Sequence, residues 1–373
     1  MTFDPPENVG GVEGRARNYT EILSLKGFFV EVMSLSPGYR YFKSRAYGAP
    51  LLRLPSSISS LPYVVREILR EIRRNKIDCI FFLSGGTSLI GNVLMCYSRL
   101  KRITTSVFVY GKDLLTARGS VSSVSTAILG LSLANGIVAN SHYTANLLPE
   151  ALRKRKTISI LYPAVDPGAL RHSDTPAEEA PRRRRVLFVG RLVKRKGVDL
   201  LLLAFKRCLN SFPDLRLVIV GDGPELENLV DKARRLGLDD DVATFRGKLT
   251  GRELYVEYSR CDVFVMASTT TERDVEGFGT VFLEAGLFAK PCVGSYSGGI
   301  PEAILDGKTG ILVPEGDAEA LYEAIVRILN DPTFAKMLGE NGRTRVMDAF
   351  TWETSTNRLI CILAKTMSKE EEA

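Results

Sequence analysis

Val186-Leu187-Phe188-Val189-Gly190-Arg191, continued by Leu192-Val193-Lys194-Arg195-Lys196-Gly197, decides the architecture of this chain. Four apolar residues read as a short buried strand, Gly190 ends it, and Asp199 through Phe205 opens an amphipathic helix. A strand that passes through a loop into a helix is the start of a βαβ unit. Its loop lies at the carboxyl end of a parallel strand, the ligand edge of an open α/β sheet. Arg191 and Lys196 emerge at that edge. Two fixed cations there suit a diphosphate, Arg as a fork and Lys as a point charge, whereas Lys194 and Arg195 read as a solvated basic loop. The same pattern recurs in Leu215 to Val220, which runs into Gly221-Asp222-Gly223-Pro224.

Outward from this unit, strand and helix alternate along the whole chain, which predicts an α/β protein with doubly wound sheets. In the first half, strands are expected near Phe28–Met33, Asp78–Leu83, Ser106–Val109, Gly136–Ala139 and Thr157–Leu161. In the second half they are expected at Val186–Gly190, Leu215–Gly221, Val242–Arg246, Val263–Ala267, Pro291–Gly294 and Gly310–Val313. With 373 residues the chain exceeds what one core usually holds, so two domains are expected. Tyr162 to Arg185, with four prolines and no periodicity, reads as the connection between them. From Thr351 the pattern becomes a final helix with Trp352, Leu359, Ile360 and Leu363 apolar.

A second informative stretch is Glu276-Gly277-Phe278-Gly279-Thr280-Val281-Phe282-Leu283-Glu284. Glu276 ends a loop, and Gly277 and Gly279 permit close approach of backbone to a ligand. From Thr280 the apolar run reads as a buried helix with Glu284 about one turn in. Free N–H groups in that first turn favour anions and sugar hydroxyls. A Glu near a helix start is also an ordinary cap, so these residues alone leave both readings open.

Together, Gly190-Arg191, Lys196-Gly197 and Glu276 with Glu284 in a Glu-x7-Glu motif resemble the retaining glycosyltransferases of the GT-B fold, family 4 (group 1). The resemblance spans Gly10 to about Trp352. It implies two doubly wound Rossmann-like domains facing a central cleft. An acceptor-side domain would cover 1–164, a linker 165–185 and a nucleotide-sugar domain 186–350, with a helix at 351–373 crossing back to the first domain. It also implies a strand before the glycine loop. Here only Met1-Thr2-Phe3 precedes Asp4-Pro5-Pro6, so an incomplete first strand is expected.

By the same resemblance Arg191 and Lys196 neutralise the departing diphosphate, which stabilises charge that grows in the transition state. Glu276, with the N–H groups of Phe278, Gly279 and Thr280 beside Gly277, holds the donor sugar; Glu284 holds the ribose. Gly190, Gly223 and Arg246-Gly247-Lys248 line the nucleotide, and Gly10-Gly11 form a loop over the diphosphate ahead of the first helix. Tyr110 stands where many relatives carry His, beside Lys112 and Asp113 on the acceptor side. A phenol with a pKa of about 10 is a poor base near neutrality, which leaves acceptor deprotonation to the leaving phosphate. No carboxylate is placed as an obvious covalent nucleophile, so the resemblance favours front-face retention. The implied donor is a GDP-mannose or a UDP-hexose, with no metal and no other cofactor. Two other readings stay open, a soluble sugar-phosphate or polyol acceptor and a non-catalytic homologue that binds nucleotide-sugar.

Composition bounds the rest. Hydrophobic residues make up 45% and charged residues 25%, as in globular proteins. No basic-then-apolar leader opens the chain, and the uncharged run Cys79 to Ser98 is broken by Ser84-Gly85-Gly86-Thr87-Ser88. Strand, glycine turn and buried helix are expected there instead of a membrane span. Six scattered cysteines without a CxxC pair, and only two histidines, argue for free thiols, no Cys/His metal site and a reducing cytoplasmic location.

Charge is uneven: residues 1–164 hold 21 Lys and Arg against 10 Asp and Glu, net +11, and residues 165–373 hold 29 against 33, net −4. The blocks Arg66 to Lys76 and Arg153 to Lys156 carry much of the excess. They read as solvated faces or as contacts to an anionic membrane surface, which would suit a lipid-borne acceptor at the cytoplasmic face.

Rival classes fail on particular residues. Gly86-Thr87-Ser88-Leu89-Ile90-Gly91 imitates a P-loop, but Asn92 and Val93 stand where Lys and Ser or Thr are needed. Asp239-Asp240-Asp241 supplies the letters of a metal-binding Asp-x-Asp but precedes a strand and reads as a solvated turn. A pair of Glu also serves glycoside hydrolysis, yet here one sits in a helix and the other beside a diphosphate pocket. No nucleic-acid module is present, and the aromatic residues are not interleaved with the arginines.

Overall fold

The computed structural model describes residues 11–30, 32–33, 43–44, 49–52, 61–83, 88–111, 114–115, 121–172, 183–272 and 274–371. Gly10, Lys112, Asp113, the start Met1-Thr2-Phe3 and residues 173–182 of the expected linker lie outside them. The chain divides into two compact units, residues 1–162 with 352–373, and residues 163–351.

The second unit is a six-stranded, all-parallel sheet. Its strands are β8 (Arg185–Val189), β9 (Arg216–Val220), β10 (Ala243–Phe245), β11 (Val263–Met266), β12 (Cys292–Ser295) and β13 (Gly310–Val313), in the order β10-β9-β8-β11-β12-β13. The winding reverses between β8 and β11, the switch point at which open α/β sheets bind ligands. Leu187 and Phe188 of β8 and every residue of β11 are buried, as a strand covered by helices on both faces must be. Each such Val, Leu or Phe contributes about 1.5–3 kcal/mol by leaving water. The helix Val198–Cys208 follows β8 only because Gly197 adopts φ 65°, where a Cβ would lie 1.9 Å from the Ala267 carbonyl oxygen.

The first unit carries a parallel four-stranded sheet in the order β4-β5-β6-β7, formed by β4 (Cys79–Phe82), β5 (Thr104–Val109), β6 (Gly136–Ala139) and β7 (Thr157–Ile160). A smaller sheet, in the order β1-β3-β2, joins β1 (Val32–Met33), β2 (Lys43–Ser44) and β3 (Ala49–Leu52). The C-terminal helix Trp352–Glu371 belongs to this unit. Trp352 meets the Tyr19 ring edge-on at 5.4 Å, and Tyr19 and Ser355 hydroxyls are 2.8 Å apart. Leu359 and Ile362 fill a core with Ala16, Phe108, Val138 and Leu161.

Three differences from the sequence reading have physical causes. The strand expected at Phe28–Met33 is reduced to β1, with Phe28 and Phe29 exposed, and its partner β3 carries Pro50, a residue that hides a strand from pattern reading. The stretch expected as a linker is partly built into the second unit. Val165 pairs with Thr351, Ala164, Val165 and Ala169 are buried, and Pro167–His172 forms a 3-10 helix. The basic run at the end of that stretch is also anchored, by Arg183 to Asp241 at 3.1 Å and by Arg184 over the Phe212 ring. Asp241 thus holds two arginines, the other being Arg216 at 3.0 Å, and is not merely a solvated turn. Third, Gly11 lies within the helix Gly11–Leu25, where the sequence reading had it in a loop with Gly10. Among the described residues no helix is long and apolar enough to cross a membrane.

Candidate active site

The loops after β8, β9, β11 and β12 build the candidate site at the switch point of the second unit. After β8, Gly190 N–H donates to the Val220 carbonyl at 3.0 Å and Leu192 N–H to the Asp222 carbonyl at 2.8 Å. Leu192 is buried, so the loop is pinned while Arg191 stays exposed at the edge. A short 3-10 turn, Lys194–Lys196, then swings two cations toward the loop after β11. Lys196 Nζ donates to Glu276 Oε2 in a very short contact and lies 3.3 Å from Met266 Sδ. Arg195 Nη1 reaches the same Glu276 oxygen at 2.9 Å, and its Nε lies 3.1 Å from Asp274 Oδ2. The sequence reading put Arg195 in a solvated loop, and the structure corrects this. Its side chain is only 14% exposed and it is a full member of the charge cluster.

The cluster fixes the ionisation of its members. Burial pushes the Glu276 carboxyl up, but Lys196 and Arg195 together outweigh it and hold the group below the ordinary carboxylate value. Burial likewise works against the Arg195 charge, and Glu276 and Asp274 overcome it and raise that pKa. The result is a matched, partly buried ion set beside an exposed arginine.

Behind Glu276 the chain is held by a glycine pair that the sequence reading passed over. Gly299 N–H donates to the Glu276 carbonyl at 2.8 Å. A Cβ on Gly298 would lie 2.1 Å from that oxygen, and one on Gly299 2.2 Å from the Gly277 oxygen. The sequence signal was available, since Gly-Gly follows directly on the strand and Tyr296-Ser297. Gly279 then caps the helix Thr280–Leu287; Phe282 N–H turns back onto the Gly279 carbonyl at 3.0 Å, and the N–H groups of Thr280 and Val281 ahead of it precede the first intrahelical bonds. Phe278 is buried, with its ring 5.8 Å from Phe350, so only its backbone can serve a ligand.

Glu284 lies apart from the ion cluster. It accepts a 2.6 Å hydrogen bond from the hydroxyl of Tyr258, a fully buried residue of the helix Gly251–Arg260 stacked on Phe288. Burial pushes the Glu284 carboxyl up, and the Tyr258 hydrogen bond offsets only part of it. The Tyr258 phenol is driven well above its ordinary value by burial and then by Glu284. Tyr258 gave no motif signal; it looked like one more apolar position on a helix.

Of the remaining expected residues, Arg246 is exposed and 3.6 Å from Glu257, and Lys248 is exposed. Gly247 accepts from Gly221 N–H at 2.8 Å, which ties the loops after β9 and β10 together. Gly223 N–H turns back onto Asp222 Oδ1 at 2.7 Å. In the first unit Tyr110 follows β5, its ring stacked on Phe108 at 4.6 Å. Among the described residues no group of three or more His, Cys, Asp and Glu is placed to hold a metal ion.

With this geometry in place, comparison with known proteins is informative. The family described as Glycosyl transferases group 1 matches residues 173–345. A relative from Mycolicibacterium smegmatis, a GDP-mannose-dependent alpha-(1-6)-phosphatidylinositol monomannoside mannosyltransferase, is 31% identical over 98% of this chain and 97% of its own. A D-inositol 3-phosphate glycosyltransferase of Segniliparus rotundus is 26% identical over 95% of this chain and 84% of its own. Among solved structures, Anabaena HepE in complex with UDP superposes with a TM-score of 0.80 at 19% identity, covering 98% of both chains. Sucrose-phosphate synthase from Thermosynechococcus elongatus gives 0.77 at 22% identity, covering 96% and 94%. The fold is GT-B. The chain belongs to the group 1 glycosyl transferases, enzymes that move a sugar from a nucleotide-sugar to an acceptor.

Proposed function

We propose that this protein transfers mannose from GDP-mannose to a mannosylated phosphatidylinositol, with retention of anomeric configuration and without a metal ion. The observation that carries the reading is the full-length, 31% relationship to an enzyme whose name states that donor and that acceptor. The site geometry supports it. Arg191 is free to fork onto the diphosphate, and Lys196 can share its charge between Glu276 and a phosphate oxygen, which gives the leaving group two cations of its own. Glu276, kept ionised by the cluster, accepts hydroxyls of the sugar, and Glu284 accepts those of the ribose. Both carboxylates are committed to such contacts, which suits front-face departure and return more than a covalent intermediate.

A lipid-borne acceptor would explain the basic first unit. Arg66, Arg70, Arg73 and Arg74 are exposed on the helix Leu61–Arg74. The block Arg153–Lys156 is less available. Lys154 pairs with Glu150 at 2.6 Å, and Lys156 donates to the Ala134 carbonyl at 2.7 Å. We therefore place attachment to the anionic membrane face on the helix Leu61–Arg74. The relationship to an inositol phosphate glycosyltransferase supports a second reading, a soluble phosphorylated polyol acceptor.

The test offers the protein labelled GDP-mannose, UDP-glucose and UDP-N-acetylglucosamine with phosphatidylinositol monomannoside or inositol phosphate. An α-mannosylated lipid, formed equally in EDTA, is the expected product. Transfer from UDP donors only, an inverted anomer, or loss in EDTA restored by Mn²⁺ would each overturn the corresponding part.

A further inference from the structure

At the carboxyl edge of the first unit's sheet lies a buried cation that no carboxylate meets among the described residues. Arg15, on the helix Gly11–Leu25, is only 8% exposed. Its guanidinium lies 4.8 Å from the centre of the Tyr110 ring, just after β5, and 5.5 Å from that of Phe108 within it. Those rings favour its faces, but a guanidinium directs five N–H donors outward in its own plane, and a π surface does not satisfy them. Nη1 is buried with no hydrogen-bond partner, and among the described residues no carboxylate pairs with Arg15. Burying a charge without a partner is strongly unfavourable unless an anion arrives to meet it.

A second group at this edge is in the same condition. Asn140 follows β6, is 4% exposed, and its Oδ1 is buried without a partner. Its own N–H donates to the Val109 carbonyl at 3.3 Å, so it sits beside the strand end that carries Tyr110. The edge thus offers one buried cation and one buried neutral amide. An anion with a neighbouring hydroxyl satisfies both at once. Phosphate fits Arg15 best, because its oxygens match the planar fork.

We infer that Arg15 binds the phosphate of a phosphorylated polyol acceptor at this edge and that Asn140 binds one of its hydroxyls. The inference rests on the acceptor reading given under Proposed function and adds the residues that recognise it. A phosphate could also come from the donor's diphosphate, and the experiment separates the two sources.

Binding of glycerophosphoinositol, and of phosphate-free myo-inositol, is titrated calorimetrically to the full-length protein saturated with GDP. The expected result is that Arg15→Gln weakens glycerophosphoinositol at least tenfold, with little change for myo-inositol and none for GDP. Asn140→Asp, nearly isosteric, sets a negative charge at the same edge and should lower glycerophosphoinositol affinity in the same selective way. It decides the matter if the Arg15 variant does not fold. Unchanged glycerophosphoinositol affinity in the folded variants overturns the inference. So does a loss confined to GDP, which would assign Arg15 to the donor, or a wild-type protein that takes up no glycerophosphoinositol. If the wild type binds it through Arg15 yet transfers no mannose to the lipid, the acceptor subsite stands and the proposed reaction falls.

Discussion

The two units end their parallel sheets in different electrostatic states. At the edge of the second, Arg195 and Lys196 are already held by Asp274 and Glu276, while Arg191 faces outward. At the edge of the first, Arg15 is buried without a carboxylate among the described residues. A matched set is rigid before the ligand comes, so it can position a reacting group at little cost on binding. An unmatched cation gains most of its stabilisation from the ligand itself, which suits recognition. On the function proposed above, the difference separates a place for chemistry from a place for selecting what enters.

The largest way to break this contrast is to remove the shared carboxylate. Glu276→Ala leaves Lys196 with no carboxylate and Arg195 with Asp274 alone, in side chains only 11% and 14% exposed. Loss of one partner from a buried ion set costs about 3–5 kcal/mol. Turnover should fall on the order of 10²–10³-fold if, as proposed, Glu276 holds the sugar most strongly in the transition state. Steady-state kinetics and thermal unfolding report the two effects separately. A variant with wild-type melting behaviour would show that the cluster is not coupled as its geometry implies.

A smaller effect is expected where Glu284 meets Tyr258. Tyr258→Phe removes the donated hydrogen bond and leaves a buried carboxylate short of a partner, a loss of about 1–3 kcal/mol. GDP affinity should drop with it, while turnover at saturating donor changes little, because the ribose is common to donor and product. The two glutamates also oppose each other in pH dependence. Glu276 has a folded pKa below its unfolded value, so its contribution is present above the ordinary carboxylate range and is lost as pH falls through the folded pKa. Glu284 has a raised folded pKa, so its contribution is complete below the ordinary value and is lost as pH rises through the folded one. Unfolding followed from about pH 3 to 8 should therefore lose its acid-side slope in Glu276→Gln and its opposite, rising-pH slope in Glu284→Gln. The same slope in both variants would refute the opposition.

The comparison also explains what was legible in the sequence. Strands β8, β9, β11 and β13 are covered on both faces, so they appear as unbroken apolar runs ended by turn residues. The loops that follow them carry Arg191, Lys196 and Glu276 in plain view. Arg195 was not legible because a 3-10 turn of three consecutive cations gives no sign of which point inward. That depends on Asp274, some eighty positions later. Tyr258 was hidden because burial of its ring dominates the pattern and its hydroxyl leaves no trace there. Arg15 was hidden for the opposite reason. An arginine on an amphipathic helix reads as solvent-facing, and the rings of Phe108 and Tyr110 at the end of β5 show that this one is covered.

The smallest expected effect concerns the surface of residues 1–164, whose net +11 contrasts with −4 for the remainder of the chain. Arg66, Arg70 and Arg74 are exposed on one helix, and each arginine near an anionic membrane contributes about 1 kcal/mol, roughly fivefold in affinity. Arg73 is a poorer test, because its Nε donates to the Tyr97 hydroxyl at 3.0 Å. Replacing Arg66, Arg70 and Arg74 by Gln should weaken co-sedimentation with anionic liposomes stepwise at low salt. The difference should vanish when salt shortens the Debye length to about 3 Å at 1 M. Turnover on a deacylated, soluble acceptor should stay at the wild-type level, because these residues would act on where the enzyme sits and not on the chemistry. Arg153→Gln and Arg155→Gln should matter less, since their neighbours Lys154 and Lys156 are already engaged by Glu150 and the Ala134 carbonyl. Wild-type binding that ignores both anionic lipid and salt would remove the electrostatic attachment. The excess positive charge would then be left to steering a phosphorylated acceptor toward the edge where Arg15 lies.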